Sequence, residues 1–318
     1  MKKIAPIFAI FCFIVLGLAS WRAPEFMTTG SVITSYKYVK PLDGKKYSEC
    51  MGVEKQKSQK QGSFGQTQGS FGQAEKKTEK KSPEYCSAMY WLGTDRMGIP
   101  LIDYATQGAK IVLYPSIVAG LLTCLFAVMG GLLRCLKYPF IDSGIQLFAE
   151  VVGALPRMVV ILVCALILPR DMRGLLPLGI VWAILAAPTA MDEAGAVASR
   201  LGGARFVEAL KAHGFGLFRI YIYHIVALNL RPVVVRQGSE VMMQVVFLEV
   251  ALSYLAVMES KPSFTHADNL HSWADLLKMG YATVVVDEPS LHALVLGLGL
   301  ITFIVVMASS ISNMARAR

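Results

Sequence analysis

Between Ile111 and Leu133 the chain carries not one charged residue. A helix rises about 1.5 Å per residue, so a run of that length crosses about 30 Å of hydrocarbon. Five further apolar runs approach the same length: Ile4 to Ala19, Ile145 to Leu168, Gly174 to Met191, Val241 to Met258 and Leu291 to Ile311. Lipid offers no water to unpaired backbone amides, so these runs have to be helices rather than open strands. At 318 residues, 54% hydrophobic and 17% charged, the composition excludes an ordinary soluble domain. The expectation is an all-α membrane protein with about six transmembrane helices.

The first run also fits a secretory signal peptide, with Lys2 and Lys3 ahead of a short apolar core. Trp21 and Arg22 stand where a small-x-small cleavage site would lie, which favours a retained anchor over residues 1–20. Orientation follows from cations in short loops. With the N-terminus inside, Lys2, Lys3, Arg134, Lys137, Arg200, Arg205, Lys211, Arg219, Arg231, Arg316 and Arg318 are cytoplasmic. Only Arg170, Arg173, Lys261 and Lys278 fall in short outer loops. Both termini then face the cytoplasm. Residues 21–108 form an extracytoplasmic segment too long to vote in that bias, and residues 109–313 a five-helix core with a cytoplasmic loop at 192–237. The net charge of +9 is spread over loops rather than gathered in one basic domain, so no nucleic-acid partner is expected.

The outer segment contains "QGSFGQTQGSFGQ", Gln61 to Gln73, flanked by Lys55, Lys57, Lys60, Lys76, Lys77, Lys80 and Lys81. Such a tract buries too little apolar area to offset chain entropy and reads as a disordered linker across 52–82, the alternative being a phenylalanine-bearing contact for a partner. Cys12, Cys124, Cys135 and Cys164 lie in or beside apolar runs, where cysteine acts as a small apolar residue. Cys50 and Cys86 bracket the tract. They are either two free thiols or a disulfide, which in the chain-entropy model would contribute about 4 kcal/mol.

Between the fourth and fifth runs lies "VEALKAHGFGLFRIYIYHI", Val207 to Ile225. Phe206, Ala209, Leu210 and His213 share the i, i+3, i+4, i+7 spacing of one helical face, and Gly214 stands where helices end in a left-handed residue. After Phe215 and Gly216 the spacing repeats in Phe218, Tyr221, Ile222 and Ile225. The pattern is two amphipathic helices about a glycine joint. They either rest on membrane lipid through Lys211 and Arg219, or lie in the groove of a cytosolic partner. Charges inside spans are costly unless they face protein or water. Arg157 either lines a passage, pairs with Glu150 or Glu249, or snorkels within the bundle; Glu249 is the second charge within a span. His266, Asp268, His271 and Asp275 gather in an outer loop, but the two histidines lack i, i+4 spacing, and no metal or cofactor is expected. No Walker-type run, Gly-x-Ser-x-Gly elbow or His-Glu-x-x-His pair occurs, so neither ATP binding nor catalysis by the chain itself is expected.

Several motifs taken in order resemble the permease subunits of bacterial ATP-binding-cassette importers, in particular the second permease of dipeptide, oligopeptide and nickel systems. "LGTDRMG", Leu92 to Gly98, resembles the Leu-Gly-Thr-Asp-x-x-Gly signature before their second span, and "GAKIVL", Gly108 to Leu113, its sequel. Glu208-Ala209-Leu210, then Gly214, then His224-Ile225 resemble their Glu-Ala-Ala coupling loop. "LEVALSYLAV", Leu248 to Val257, is similar to their Glu-Ala-x-Leu-Ser-Phe-Leu-Gly run, and Ser272-Trp273-Ala274 to their Ser-Trp-Gly. The likeness covers roughly Leu92 to Asn313. Ile99-Pro100, Leu210, Val226-Ala227 and Ala256-Val257-Met258 depart from the family pattern and mark a divergent subfamily.

The resemblance implies an inner-membrane, multi-pass permease for peptides or a related small solute. It would work by alternating access with a second permease subunit, two cytosolic ATP-binding subunits and an extracytoplasmic substrate-binding protein. Glu208, Ala209, Leu210, Gly214, His224 and Ile225 would then form the ATPase-coupling loop. The rivals are a stand-alone secondary transporter, for which neither inverted repeats nor midplane charge relays are found, a membrane-embedded enzyme, and a structural subunit of a membrane complex. The topology makes a prediction: a single cysteine at residue 210 stays unlabelled by an impermeant thiol reagent in intact cells and is labelled in inverted vesicles. Labelling in intact cells would overturn it.

Overall fold

Apolar segments that must satisfy their own amides fold as helices, and the computed structural model of the chain is helical almost throughout, with no strand among the described residues. It describes residues 4–22, 36, 38–59, 83–95, 98–135, 139–169, 174–202, 205–216, 218–258, 272–286 and 291–316. The helices are α1 (Ile4–Arg22), α2 (Gly44–Gln59), α3 (Pro83–Leu92), α4 (Leu101–Cys135), α5 (Pro139–Gly153), α6 (Arg157–Ile167) and α7 (Leu175–Gly202). α8 (Arg205–Ala212), a π-helical segment (Arg219–Leu230), α9 (Arg231–Met258), α10 (Trp273–Val286) and α11 (Leu291–Arg316) complete the order. The expected linker across 52–82 is overturned in its first part, since residues 52–59 continue α2; residues 60–82 and the His266, Asp268 and His271 group lie outside the described residues.

Four helical stretches are long and apolar enough to cross a membrane: Leu101–Arg134, Leu175–Leu201, Arg219–Leu255 and Leu291–Ala315. The protein is membrane-embedded. Two of the six expected spans, the third and the first, are not among these four. The third, Ile145 to Leu168, is broken between α5 and α6 by a bend of 76°. Pro156, whose ring fixes φ and removes an amide donor, stands at the break and begins α6 with φ −69° and ψ 106°. The first run forms α1, whose described apolar part, Ile10–Arg22, is shorter than the other four. The fifth span starts earlier than Val241, because the π-helical segment runs without interruption into α9. Likewise α4 begins at Leu101, ahead of the expected core boundary at residue 109.

α4 is the central helix. α7 runs parallel to it: Gly179 lies against Pro115 and Ala119, Gly130 against Met191, and Gly195 against Arg134. α9 runs antiparallel, with Gly120 against Gly238 and Met242, and Gly131 against Leu230. At Gly120, Gly130 and Gly238 only hydrogen fits. A methyl group at Gly120 would stand 2.6 Å from the Met242 Cγ and 2.9 Å from the Gly238 carbonyl. Small residues let backbones approach closely, which in lipid takes over the role that hydrophobic exclusion has in water. α10 and α11 form an antiparallel pair beside α4 and α9, and α1 lies against α4 and α11.

α2 and α3 make a cap at the end of the bundle where α4 begins. Cys50 and Cys86 join them in a disulfide, Cα atoms 5.9 Å apart, around a small core of Tyr36, Val39, Tyr85 and Met89. Leu92 to Asp95, together with Gly98, join cap and bundle. Gly93 has φ +80° and lies directly against the Val39 carbonyl, a place and conformation closed to other residues. Thr94, fully buried, donates to the Tyr36 carbonyl at 2.6 Å and accepts from the Val39 amide at 2.9 Å. Asp95 accepts from the Ile99 amide at 2.9 Å and from the Tyr104 hydroxyl at 2.7 Å, tying the loop to the first turn of α4. The Tyr85 hydroxyl donates to the Gly98 carbonyl, and burial pushes its phenol well above the ordinary value. Non-reducing electrophoresis should show the reduced chain migrating more slowly, and alkylation before reduction should leave Cys50 and Cys86 unmodified. Reduction should lower the stability of the cap by about 4 kcal/mol in the chain-entropy model.

Candidate functional site

The segment that the sequence singles out, Val207 to Ile225, forms an elbow where α7 projects past the bundle. α8 is two turns long and ends as its sequence suggests. Gly214 has φ +79°, its amide donates to the Lys211 carbonyl at 3.0 Å, and the Phe215 amide donates to the Leu210 carbonyl at 3.1 Å. These paired bonds make a Schellman motif, and its usual apolar contact, here Leu210 with Phe215, belongs to the same cluster. Phe215 is held further by the Arg219 guanidinium, 5.1 Å from its ring centroid, and by the edge of His224 at 6.0 Å.

The inward face differs from the expected one. Val207 is buried and Leu210 partly so, against Ala190, Ala194 and Ala198 of α7, whereas Ala209 and His213 are exposed together with Glu208, Lys211 and Ala212. The side chain of Phe206 is not among those described. In the second half, Ile220, Ile225 and Leu230 are the fully buried residues, while Phe218 and Ile222 are exposed. That spacing of five accords with i→i+5 bonding, in which a turn holds more residues than the 3.6 of an α-helix. An α-helical period of 3.6 therefore picks out the wrong face. Asn229 Nδ2 donates to the His224 carbonyl at 2.6 Å, a further five-residue link. Of the expected coupling residues, Glu208, Ala209 and Gly214 are exposed, Leu210 and His224 are half-buried, and Ile225 lies in the core.

At the cap end a second group of polar residues is enclosed. Asp275 makes one half of a capping box at the start of α10: the Ser272 amide donates to Asp275 Oδ2 at 2.9 Å, and Lys278 pairs with Oδ1 at 3.3 Å. Trp273 is fully buried, donates through Nε1 to the Ala105 carbonyl at 3.0 Å, and packs on Gly108. The Gly108 and Ser272-Trp273 motifs, far apart in sequence, thus meet. Glu249, 1% exposed, stands by this helix start beside Ser272, and its carboxylate oxygens lack hydrogen-bond partners of ordinary geometry. Among the described residues no group of three or more His, Cys, Asp or Glu is placed to hold a metal ion.

Arg157 donates through Nη2 to the Thr189 hydroxyl at 2.9 Å and makes no ion pair with Glu150 or Glu249. A cation that sequence reading did not single out does more. Arg134 pairs with Asp142 of α5 and Asp192 of α7, each at 2.8 Å, and has a nearly buried side chain. Its one sequence signal is its place as the first charge after the uncharged run. No family model matches the chain, and no curated protein matches it.

The π register makes a prediction that an α register does not share. Ile220→Ala removes a fully buried side chain and should cost about 2–4 kcal/mol, whereas Ile222→Ala should cost less than about 1 kcal/mol. Thermal unfolding of the two variants in detergent checks this, and equal losses would exclude the register.

Proposed function

We propose that the chain is a permease subunit of an ATP-driven importer for peptides or a related small solute, moving its substrate by alternating access. The reading rests on the order of motifs along the chain, and one observation carries it: the shape of the elbow. α8 is short, pinned along one edge by Val207 and Leu210, and offers Glu208, Ala209, Lys211, Ala212 and His213 outward as one exposed edge. Its anchors are α7 on one side and, through the π-helical segment, α9 on the other, and both of those pack on α4. A force applied to α8 therefore reaches two packed spans at once. That is the mechanical requirement for a cytosolic ATPase to switch a membrane passage between two states.

In this reading a second permease subunit completes the pathway, two ATP-binding subunits engage the elbow, and the disulfide-closed cap faces a substrate-binding protein. The ATPase activity belongs to the partners. Glu208→Lys should lower recovery of the ATPase with the full-length chain about tenfold, at equal membrane abundance, by reversing a charge at the contact. A helix merely resting on anionic lipid would hold as well or better with an added cation. Gly214→Val, which places a branched side chain at φ +79°, should also reduce recovery and transport without loss of insertion. Unchanged recovery and transport in both variants would remove the assignment.

A further inference from the structure

The break between α5 and α6 has a geometry that a single kinked span does not explain. α5 is tied to α7 near both of its ends. At its start, Asp142 shares Arg134 with Asp192. Just past its end, Arg157 reaches Thr189. Asp192 and Thr189 are three residues apart, a rise of only about 4.5 Å along α7, although α5 from Asp142 to Gly153 is about 16 Å long. Both ends therefore sit at one level, and α5 crosses α7 rather than running beside it. α6 then turns by 76° and follows α7 back, with Ile161 and Ala165 packed among Leu175, Leu178 and Trp182.

The side chains of α5 divide into three arcs. Ile145, Ala149 and Val152 point toward the bundle, being buried or half-buried. Asp142, Gln146 and Glu150, at i, i+4, i+8, form an exposed polar arc. On the opposite side Phe140, Leu147, Phe148 and Val151 are exposed, Phe140 at 89% and Leu147 at 64%. This apolar arc continues through Leu155 into the exposed face of α6, Met158, Val159, Leu162, Val163 and Leu166.

We propose that α5 lies in the plane of the membrane, at the boundary between headgroups and acyl chains on the side that carries α8. Its apolar arc is sunk in hydrocarbon and its polar arc is in water, and α6, about 16 Å long, carries the chain back along α7 toward the level of Leu175. The occupant of the apolar arc is lipid acyl chain, for two reasons. The arc is continuous with the outer face of α6, which packs along the spanning helix α7. The opposite arc also needs water at the same depth, and a bilayer boundary supplies both environments. Arg134 fixes the level, since a cation bridging two carboxylates is far cheaper at the boundary than in the hydrocarbon centre. This inference does not depend on the transport reading.

The test places single nitroxide labels at residues 146, 147, 150, 151 and 155 of the full-length chain in phosphatidylcholine and phosphatidylglycerol vesicles. The free cysteines are replaced and the Cys50–Cys86 bridge is kept. Oxygen accessibility should exceed nickel-chelate accessibility several-fold at 147, 151 and 155, with the reverse at 146 and 150. Depth should be constant from 147 to 155 within the 5–10 Å burial typical of interfacial helices. A depth that grows by about 1.5 Å per residue would show a transmembrane half-span and overturn the proposal. So would labels at 147 and 151 that are shielded from both reagents, which would show a second copy or another protein on the arc. Should cysteine replacement impair folding, lysine variants of the native chain decide instead. Gln146→Lys and Glu150→Lys should insert and melt like the parent, while Leu147→Lys and Val151→Lys should melt several degrees lower. Equal losses on both arcs would count against the in-plane position.

Discussion

Everything in this bundle depends on how closely α4 lets its neighbours approach. Lipid tails are as apolar as leucine, so helices in a membrane are not driven together by exclusion from water and have to gain their cohesion from contact itself. α4 meets α9 through the glycine pair Gly120 and Gly238, and meets α7 through Gly130 and Gly195. Ala119, Ala127, Ala183, Ala190 and Ala194 continue these seams as fully buried small residues. One helix with small faces on two sides can hold two long partners. The remaining helices pack around this triad through larger apolar side chains such as Ile161, Leu178, Trp182, Leu276 and Ile304.

The two ends of that triad are finished differently. At the cap end, a disulfide, two left-handed or crowded loop positions and the Asp95 bonds fasten a small folded unit to the first turn of α4. At the other end α7 runs on beyond the bundle and receives α8 on its alanine face, while the π-helical segment carries the chain back into α9. The first arrangement is rigid because its polar groups are enclosed and paired. The second is held mostly by apolar contact, with Phe215 between Arg219 and His224 as its chief polar fastening.

How much of this can be read from the residues varies with the kind of information involved. Long uncharged runs mark α4 and α11 directly, since nothing but helix satisfies such a stretch in lipid. Gly214 is legible as a helix end because a glycine after an apolar-periodic turn has a specific conformational use. The bend at Pro156 is hidden because the apolar content continues through Ala154 and Leu155, so hydropathy alone joins what geometry divides. The inward face of the elbow is misread because Ile220, Ile225 and Leu230 follow a five-residue step that no 3.6-residue template detects. Arg157 has carboxylates as candidate partners in sequence, yet meets a hydroxyl, Thr189, on a neighbouring helix. The pairing of Gly108 with Trp273 is invisible for the same reason: it is a matter of which helices touch, and single-chain periodicity carries no such term.

The short helix α10 bears on how the chain is built. At 14 residues it is about 21 Å long, too short to cross a bilayer, and its starting turn is held inside the bundle by Trp273 against α4. Asp275 caps this turn by accepting from the Ser272 amide and hydroxyl. Such a helix has no stable place in lipid by itself: without Gly108 to receive the indole and without α4 and α9 to enclose its capped end, its first amides would be stranded. The seat of α10 is therefore made by other helices: α4 supplies the glycine and the carbonyl that receive its indole, and α9 and α11 supply the rest of its surroundings.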